Sequence, residues 1–234
     1  FGVIAEFIHG PYHLWFLYSL AGLYLLTPIL RKAAADGKTL AYFLIMFAAV
    51  NVVTQYLIYV PKIGGMISDF IERTGLRAVT GYMGYFMLGY FLYSKKDNMS
   101  KKTETAIYVI GILMLIATIA AECFISEELR KTDFVKQYMK PNVILYSAAI
   151  YTFFVMKMSK IHYSERTRKV FAVFTECGFG VYCIHAILNG FVPTPVIKSL
   201  PLITSLLRVA CLYALSLALT WLIRKIPFVG KKIT

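Results

Sequence analysis

Charge is what this sequence has least of. Asp, Glu, Lys and Arg make up 16% of 234 residues, where soluble domains carry about a quarter, and a water-soluble fold of this size needs more polar surface than that. Cysteine is sparse too. Cys123, Cys177, Cys183 and Cys211 form no CxxC pair and stand in no His/Cys spacing of the zinc type. No metal site or redox pair is expected, and the four read as small buried side chains. No pair of intramembrane aspartates and no Ser–His motif is present, which leaves intramembrane proteolysis without support. No internal repeat is evident. The chain opens on Phe1 with no basic n-region ahead of an apolar stretch, so no signal peptide is read and the chain is expected to start inside a longer protein.

Apolar residues, by contrast, reach 59% and fall in runs close to the ~20 residues that carry a helix across a bilayer. The runs cover Tyr12 to Leu30, Thr39 to Tyr59, Ala78 to Tyr93, Thr105 to Glu122, Asn142 to Met158, Val170 to Asn189 and Leu202 to Ile223. They predict an all-α, polytopic transmembrane bundle of about seven spans. Proline and glycine punctuate it. Pro28 and Pro61 read as helix exits, Asp36 and Gly37 as a turn, Pro141 as a helix start, and Pro193, Pro195 and Pro201 as a break before the last run. The segment Ile63 to Leu76 has apolar residues at helical spacing and predicts a short surface helix. Glu127 to Lys140 is similar but more polar.

The net charge of +13 belongs to the loops. Segments 31–38, 94–102, 157–169 and 224–232 hold sixteen Lys and Arg, and the alternating segments 61–77, 127–140 and 190–201 hold eight. The bias keeps one sign across every crossing, as the positive-inside rule requires of seven spans. It puts the N-terminal end outside and the C-terminus in the cytoplasm, with membrane lipids rather than nucleic acid as the partner of the basic loops.

Ionisable and amide groups at depth are costly, so they mark candidate sites. With this orientation His13, Gln55, Glu122, His185, Asn189 and Arg208 all fall in the outer third of the bilayer, Arg208 about 9 Å below the outer end of its run. The clustering predicts a water-filled pocket open to the outside. Contact with head groups and outward snorkelling of Arg208 remain the alternatives. Glu176 lies nearer the inner end, half a turn out of phase with His185, and so is expected to face an inner cavity or to pair with a helix missing from this chain. A histidine with a carboxylate does acid–base work, and an arginine holds a phosphate, a carboxylate or developing negative charge. That set suits acyl transfer to a hydroxyl and equally suits a proton-coupled transporter.

Three segments carry a resemblance. HLWFLYSLAGLYLLTPILRK, His13 to Lys32, resembles a signature helix of the integral-membrane acyltransferase-3 family; TGYMGYFMLGYFL, Thr80 to Leu92, resembles its later Phe/Tyr-Gly helix; GFGVYCIHAIL, Gly178 to Leu188, resembles its near-terminal Tyr-x-x-His helix. The resemblance implies a core of about ten helices. It implies transfer of an acyl group, usually acetyl, from acyl-coenzyme A to a hydroxyl of a surface carbohydrate, a lipid-linked glycan or a similar acceptor, in a bacterial cytoplasmic membrane. No permanently bound cofactor is implied. His185 maps onto the late-helix histidine, and His13 and Trp15 onto the His-x-Trp of the signature helix. Arg208 and Glu122 would support catalysis, with Gln55, Asn189 and Glu176 at the substrate. Lys95, Lys96, Arg166 and Arg168 would attract the donor's phosphates, although the positive-inside rule alone also accounts for them. The family's first helix carries an arginine followed by an essential histidine, and no such helix precedes Phe1. The chain is therefore expected to be one membrane-embedded domain, the C-terminal part of a larger bundle, inactive alone and with no catalytic base assigned. A transporter or flippase, and a membrane module for a fused soluble domain, are the competing readings.

Overall fold

A computed structural model describes residues 14–76, 81–128, 134–192 and 201–226. Eight α-helices stand among them: α1 Trp15–Ala35, α2 Gly37–Gln55, α3 Gly64–Arg73, α4 Tyr82–Ser94, α5 Lys101–Phe124, α6 Pro141–Met156, α7 Glu165–Asn189 and α8 Pro201–Arg224. Among the described residues five helical stretches are long and apolar enough to cross a membrane: Gly37–Gln55, Lys101–Phe124, Pro141–Lys160, Glu165–Asn189 and Ile203–Arg224. Ile112, Leu113, Ile116 and Ile119 of α5 are exposed, as lipid-facing side chains must be. The protein is a multi-pass, all-helical membrane protein. The two other predicted spans are also helical, but α4 has 13 residues, about 20 Å at 1.5 Å per residue, short of a ~30 Å hydrocarbon core.

The ends of the helices have local causes. Asp36 alone separates α1 from α2 and caps the latter, its carboxylate accepting from the backbone N–H of Thr39 at 3.0 Å and of Lys38 at 3.3 Å. Ser100 and Ser164 cap α5 and α7 through the N–H groups of Thr103 and Thr167. Pro141 occupies the first turn of α6, where its missing N–H is not needed.

Three expectations are corrected. Pro28 does not end the first helix, which continues to Ala35; it removes the one backbone bond to the Tyr24 carbonyl, a loss that membrane helices tolerate. The second helix stops at Gln55, not Tyr59, and passes into a 3₁₀ turn over Leu57–Tyr59. The Gln55 carbonyl, which would accept from Tyr59 in a continuing helix, accepts from the Lys140 ammonium at 2.6 Å, while the Tyr59 N–H turns to Tyr56 O. The segment 134–140 is turns rather than helix. The predicted surface helix does form as α3, with Ile71 buried and Met66 and Phe70 exposed.

The chain divides into two compact units, one of residues 1–18 and 162–234, the other of residues 19–161. In the larger unit Leu30, Ala34, Leu40 and Met87 form a core that joins α1, α2 and α4. Helices α5 and α6 pack antiparallel with Gly111 against Ala149, so close that a β-carbon on Gly111 would stand 2.2 Å from that of Ala149. In the smaller unit α7 packs on α8, with Gly180 against Thr220 and Phe174 stacked on Tyr213.

Candidate active site

In the smaller unit the polar residues predicted from depth come together at one end of the α7–α8 pair. The Arg208 guanidinium donates through Nη2 to Asn189 Oδ1 at 3.1 Å and reaches its carbonyl at 3.5 Å. Its Nε is buried and has no hydrogen-bond partner among the described residues. His185 lies one turn before Asn189. Its Nδ1 is 2.6 Å from the Tyr182 carbonyl and 3.3 Å from that of Val181. A carbonyl only accepts, so Nδ1 carries the hydrogen and Nε2 is the basic nitrogen of the neutral ring. Tyr182 in turn packs edge-on against Phe16 and lies 5.8 Å from the His185 ring, while Phe16 meets Trp15. The start of α1 thus leans on the turn of α7 that bears the histidine. His13 lies outside the described residues.

At the other end of this pair Glu176 forms an ion pair with Arg224 at 2.6 Å, and Arg224 also reaches Cys177 Sγ at 3.7 Å. Glu176 therefore meets the last residue of α8, two to three turns from His185.

Gln55 and Glu122 fall in the larger unit. Glu122 pairs with Lys136 at 3.6 Å, and Gln55 is engaged through its carbonyl. Around them lies a polar cluster that sequence reasoning missed. Lys140 is fully buried, with its ammonium 3.9 Å from the ring centre of Phe134, 4.8 Å from Tyr56 and 5.2 Å from Tyr59. No carboxylate pairs with it among the described residues, and burial pulls its pKa below the ordinary lysine value. Asn142 completes the cluster, accepting from Tyr56 Oη at 3.0 Å and donating to Thr118 Oγ1 at 2.7 Å. The available signal was position: a lysine just ahead of a helix N-terminus opposes the helix dipole. At the opposite end of the α5–α6 pair Glu104 is buried, pairs with Lys157 at 2.7 Å and accepts from Tyr108 Oη at 3.1 Å. Lys95, Arg166 and Arg168 are exposed, and Lys96 lies 4.0 Å above the Tyr93 ring. Among the described residues no three His, Cys, Asp or Glu side chains stand close enough to hold a metal ion.

The Arg208–Asn189 pair and His185 stand at one end of the apolar α7–α8 pair, and an arginine so placed can in general hold a polar or anionic group. The family follows from comparison: the acyltransferase domain model matches residues 2–225, so the chain belongs to the acyltransferase-3 family. Acyl transfer is the activity that membership brings. Neither the curated proteins nor the solved structures contain a match.

Proposed function

We propose that the protein transfers an acyl group, acetyl in the first instance, from acyl-coenzyme A to a hydroxyl of a surface carbohydrate or lipid-linked glycan. It does so as part of a bundle whose seven spans here run from an outer N-terminal end to a cytoplasmic C-terminus. The observation that carries this reading, alongside family membership, is the Arg208–Asn189 pair one turn beyond His185, with a buried Arg208 N–H left to spend on a ligand.

In the transfer the acceptor oxygen adds to the thioester carbonyl, the C–O bond forms as the C–S bond breaks, and the hydroxyl proton ends on the sulfur of coenzyme A. Arg208 offers its guanidinium to the oxyanion that develops on the carbonyl, where a fixed donor in a dry site is worth most. Asn189 holds Arg208 in place. His185 exchanges a proton at the acceptor hydroxyl through Nε2. Within this unit Trp15 serves the acceptor side, and Glu176 steadies the inner end of α7 through Arg224. Lys95, Lys96, Arg166 and Arg168 draw the anionic donor to the cytoplasmic face. A fused soluble domain is compatible with the same membrane module.

The test is turnover by the full-length protein in membranes given acetyl-coenzyme A and a panel of glycans. Coenzyme A release should depend on the acceptor and fall at least a hundredfold in His185→Ala, a loss typical of removing a transition-state partner. Release no greater than background across the panel removes the reading.

A further inference from the structure

We infer that the cavity between α4 and α6 receives the pantetheine arm of the acyl-coenzyme A donor, with Lys96 at its mouth taking a phosphate. The inference rests on the acyl-transfer reading and adds the place where the donor lies.

The cavity measures about 590 Å³ and is lined by Tyr85, Gly89, Tyr90, Tyr93, Ser147 and Tyr151 among others. One glycine of its lining, Gly89, has room beside it. A β-carbon on Gly84, one turn earlier in α4, would stand 2.0 Å from the Phe47 ring, and one on Gly111 would strike Ala149; these glycines are closed by their neighbours. A β-carbon on Gly89 would meet only Tyr151, at 3.9 Å. The same helix therefore uses one glycine to pack and another to leave room.

The wall is mainly apolar; the Tyr85 hydroxyl already donates to the Tyr138 carbonyl, and the other hydroxyls on its lining residues are those of Tyr90, Tyr93, Ser147 and Tyr151. A chain in which amides alternate with apolar stretches can pair with such a wall. A plain hydrocarbon tail would cover those hydroxyls without partners, which costs free energy. The mouth is cationic, since α4 ends at Ser94 and is followed by Lys95 and Lys96, and Lys96 stands over Tyr93, a wall residue. The neighbouring groove between α5 and α6, about 560 Å³, has Tyr108 and Tyr146 in its lining, but the Tyr108 hydroxyl is already bonded to Glu104. Its lining is almost wholly apolar, and the lysine at its end, Lys157, is already held by Glu104. Lys96 has no carboxylate in ion-pair contact among the described residues; Tyr93 and the neighbouring Asp97 act on its charge, and its ammonium has further donors for an anion.

The experiment measures binding of coenzyme A itself to the purified full-length protein, with turnover followed in parallel. Gly89→Leu fills the cavity and Lys96→Glu reverses the charge at its mouth; Gly89→Ala, which the geometry admits, controls for folding. Each of the first two should weaken coenzyme A binding and raise the KM for acetyl-coenzyme A at least tenfold while leaving the KM for the acceptor unchanged. If Gly89→Leu fails to fold, Lys96→Glu carries the test. Normal binding and KM in a turning-over Lys96→Glu and a folded Gly89→Leu overturn the cavity assignment and leave acyl transfer standing. Loss of a co-purifying phospholipid in Gly89→Leu, with coenzyme A binding intact, assigns the groove to lipid and overturns it too. A wild-type protein that neither binds coenzyme A nor turns over removes the donor and the acyl-transfer reading together.

Discussion

Lys140 carries a charge into a place where no carboxylate answers it among the described residues. One carbonyl and three aromatic rings take that role, and cation–π contacts gain when desolvated. Truncation to Ala leaves a hole among the rings and frees Gln55 O. We expect a loss of about 3 kcal/mol, in the range of large-to-small core changes, read as a lower melting temperature in detergent. Lys140→Met keeps the stem and removes the cost of burying the ammonium, so it should lose less. The sign of the pH effect follows from burial. The folded pKa lies below that of the unfolded chain, so the native state binds fewer protons in the window between them and stability rises as pH approaches 10.5. Lys140→Met should not show this rise, and a wild type flat across that window would mean that the ammonium is not desolvated. At Arg208 the bond to Asn189 uses one arm of a planar fork and leaves Nε for a ligand. Arg208→Lys keeps the charge and loses the fork, and kcat should drop ten- to a hundredfold; normal turnover would make snorkelling the better account of Arg208. The polar residues themselves were legible, because an ionisable side chain in an apolar run stands out. Their partners were not. Glu176 finds Arg224 and Gln55 finds Lys140 across 47 or more residues of chain, and no periodicity in the sequence encodes such distances.

Helices were legible for the same reason that they form: in lipid every backbone group must be satisfied within the segment, so an apolar run of sufficient length has little else to become. Their ends were less so. Pro28 was misread because a rule learned in water treats a lost N–H as a stop, whereas α1 carries the proline for a further two turns. The end of α2 is set by Lys140 and has no signal in its own residues. Glycines separate packing from mere tolerance. Helices associate in lipid through close backbone approach at small residues, and Gly111, Gly84 and Gly180 each face a neighbour that would have to move. Gly111→Ala should therefore destabilise the α5–α6 pair by about 2 kcal/mol, as overpacking does. Gly22→Ala, with nothing within 4 Å of the added carbon, should be neutral or slightly stabilising, since alanine is the better helix former. Equal melting temperatures for the two variants would show that α5 and α6 can part at no cost, against the closeness seen at Gly111.

The two units repeat one arrangement of polar layers, each read within its own unit. In the larger, Glu104 with Lys157 and Thr118 with Asn142 are separated by about 21 Å along α5 at 1.5 Å per residue. In the smaller, Glu176 with Arg224 and Asn189 with Arg208 are separated by about 20 Å along α7 and 24 Å along α8. A hydrocarbon core of ~30 Å is thicker than either spacing, so the two layers of a unit cannot both lie in water. Lys157 and Arg224 adjoin the Lys- and Arg-rich segments, so the proposed orientation puts the ion-paired layers at the cytoplasmic head groups and Asn142 and Arg208 several ångströms inside the far surface. That orientation is open to a direct test. Because Cys123 and Cys211 are exposed, the four native cysteines are first replaced by serine. A single cysteine at Asp69, on the exposed polar side of α3, should then react with an impermeant maleimide on intact cells. One at Lys160 should react only after the membrane is opened. Labelling of Lys160→Cys in intact cells as fast as Asp69→Cys would reverse the orientation, and with it the placement of Arg208 and His185 toward the outer surface and of Lys96 toward the cytoplasmic donor.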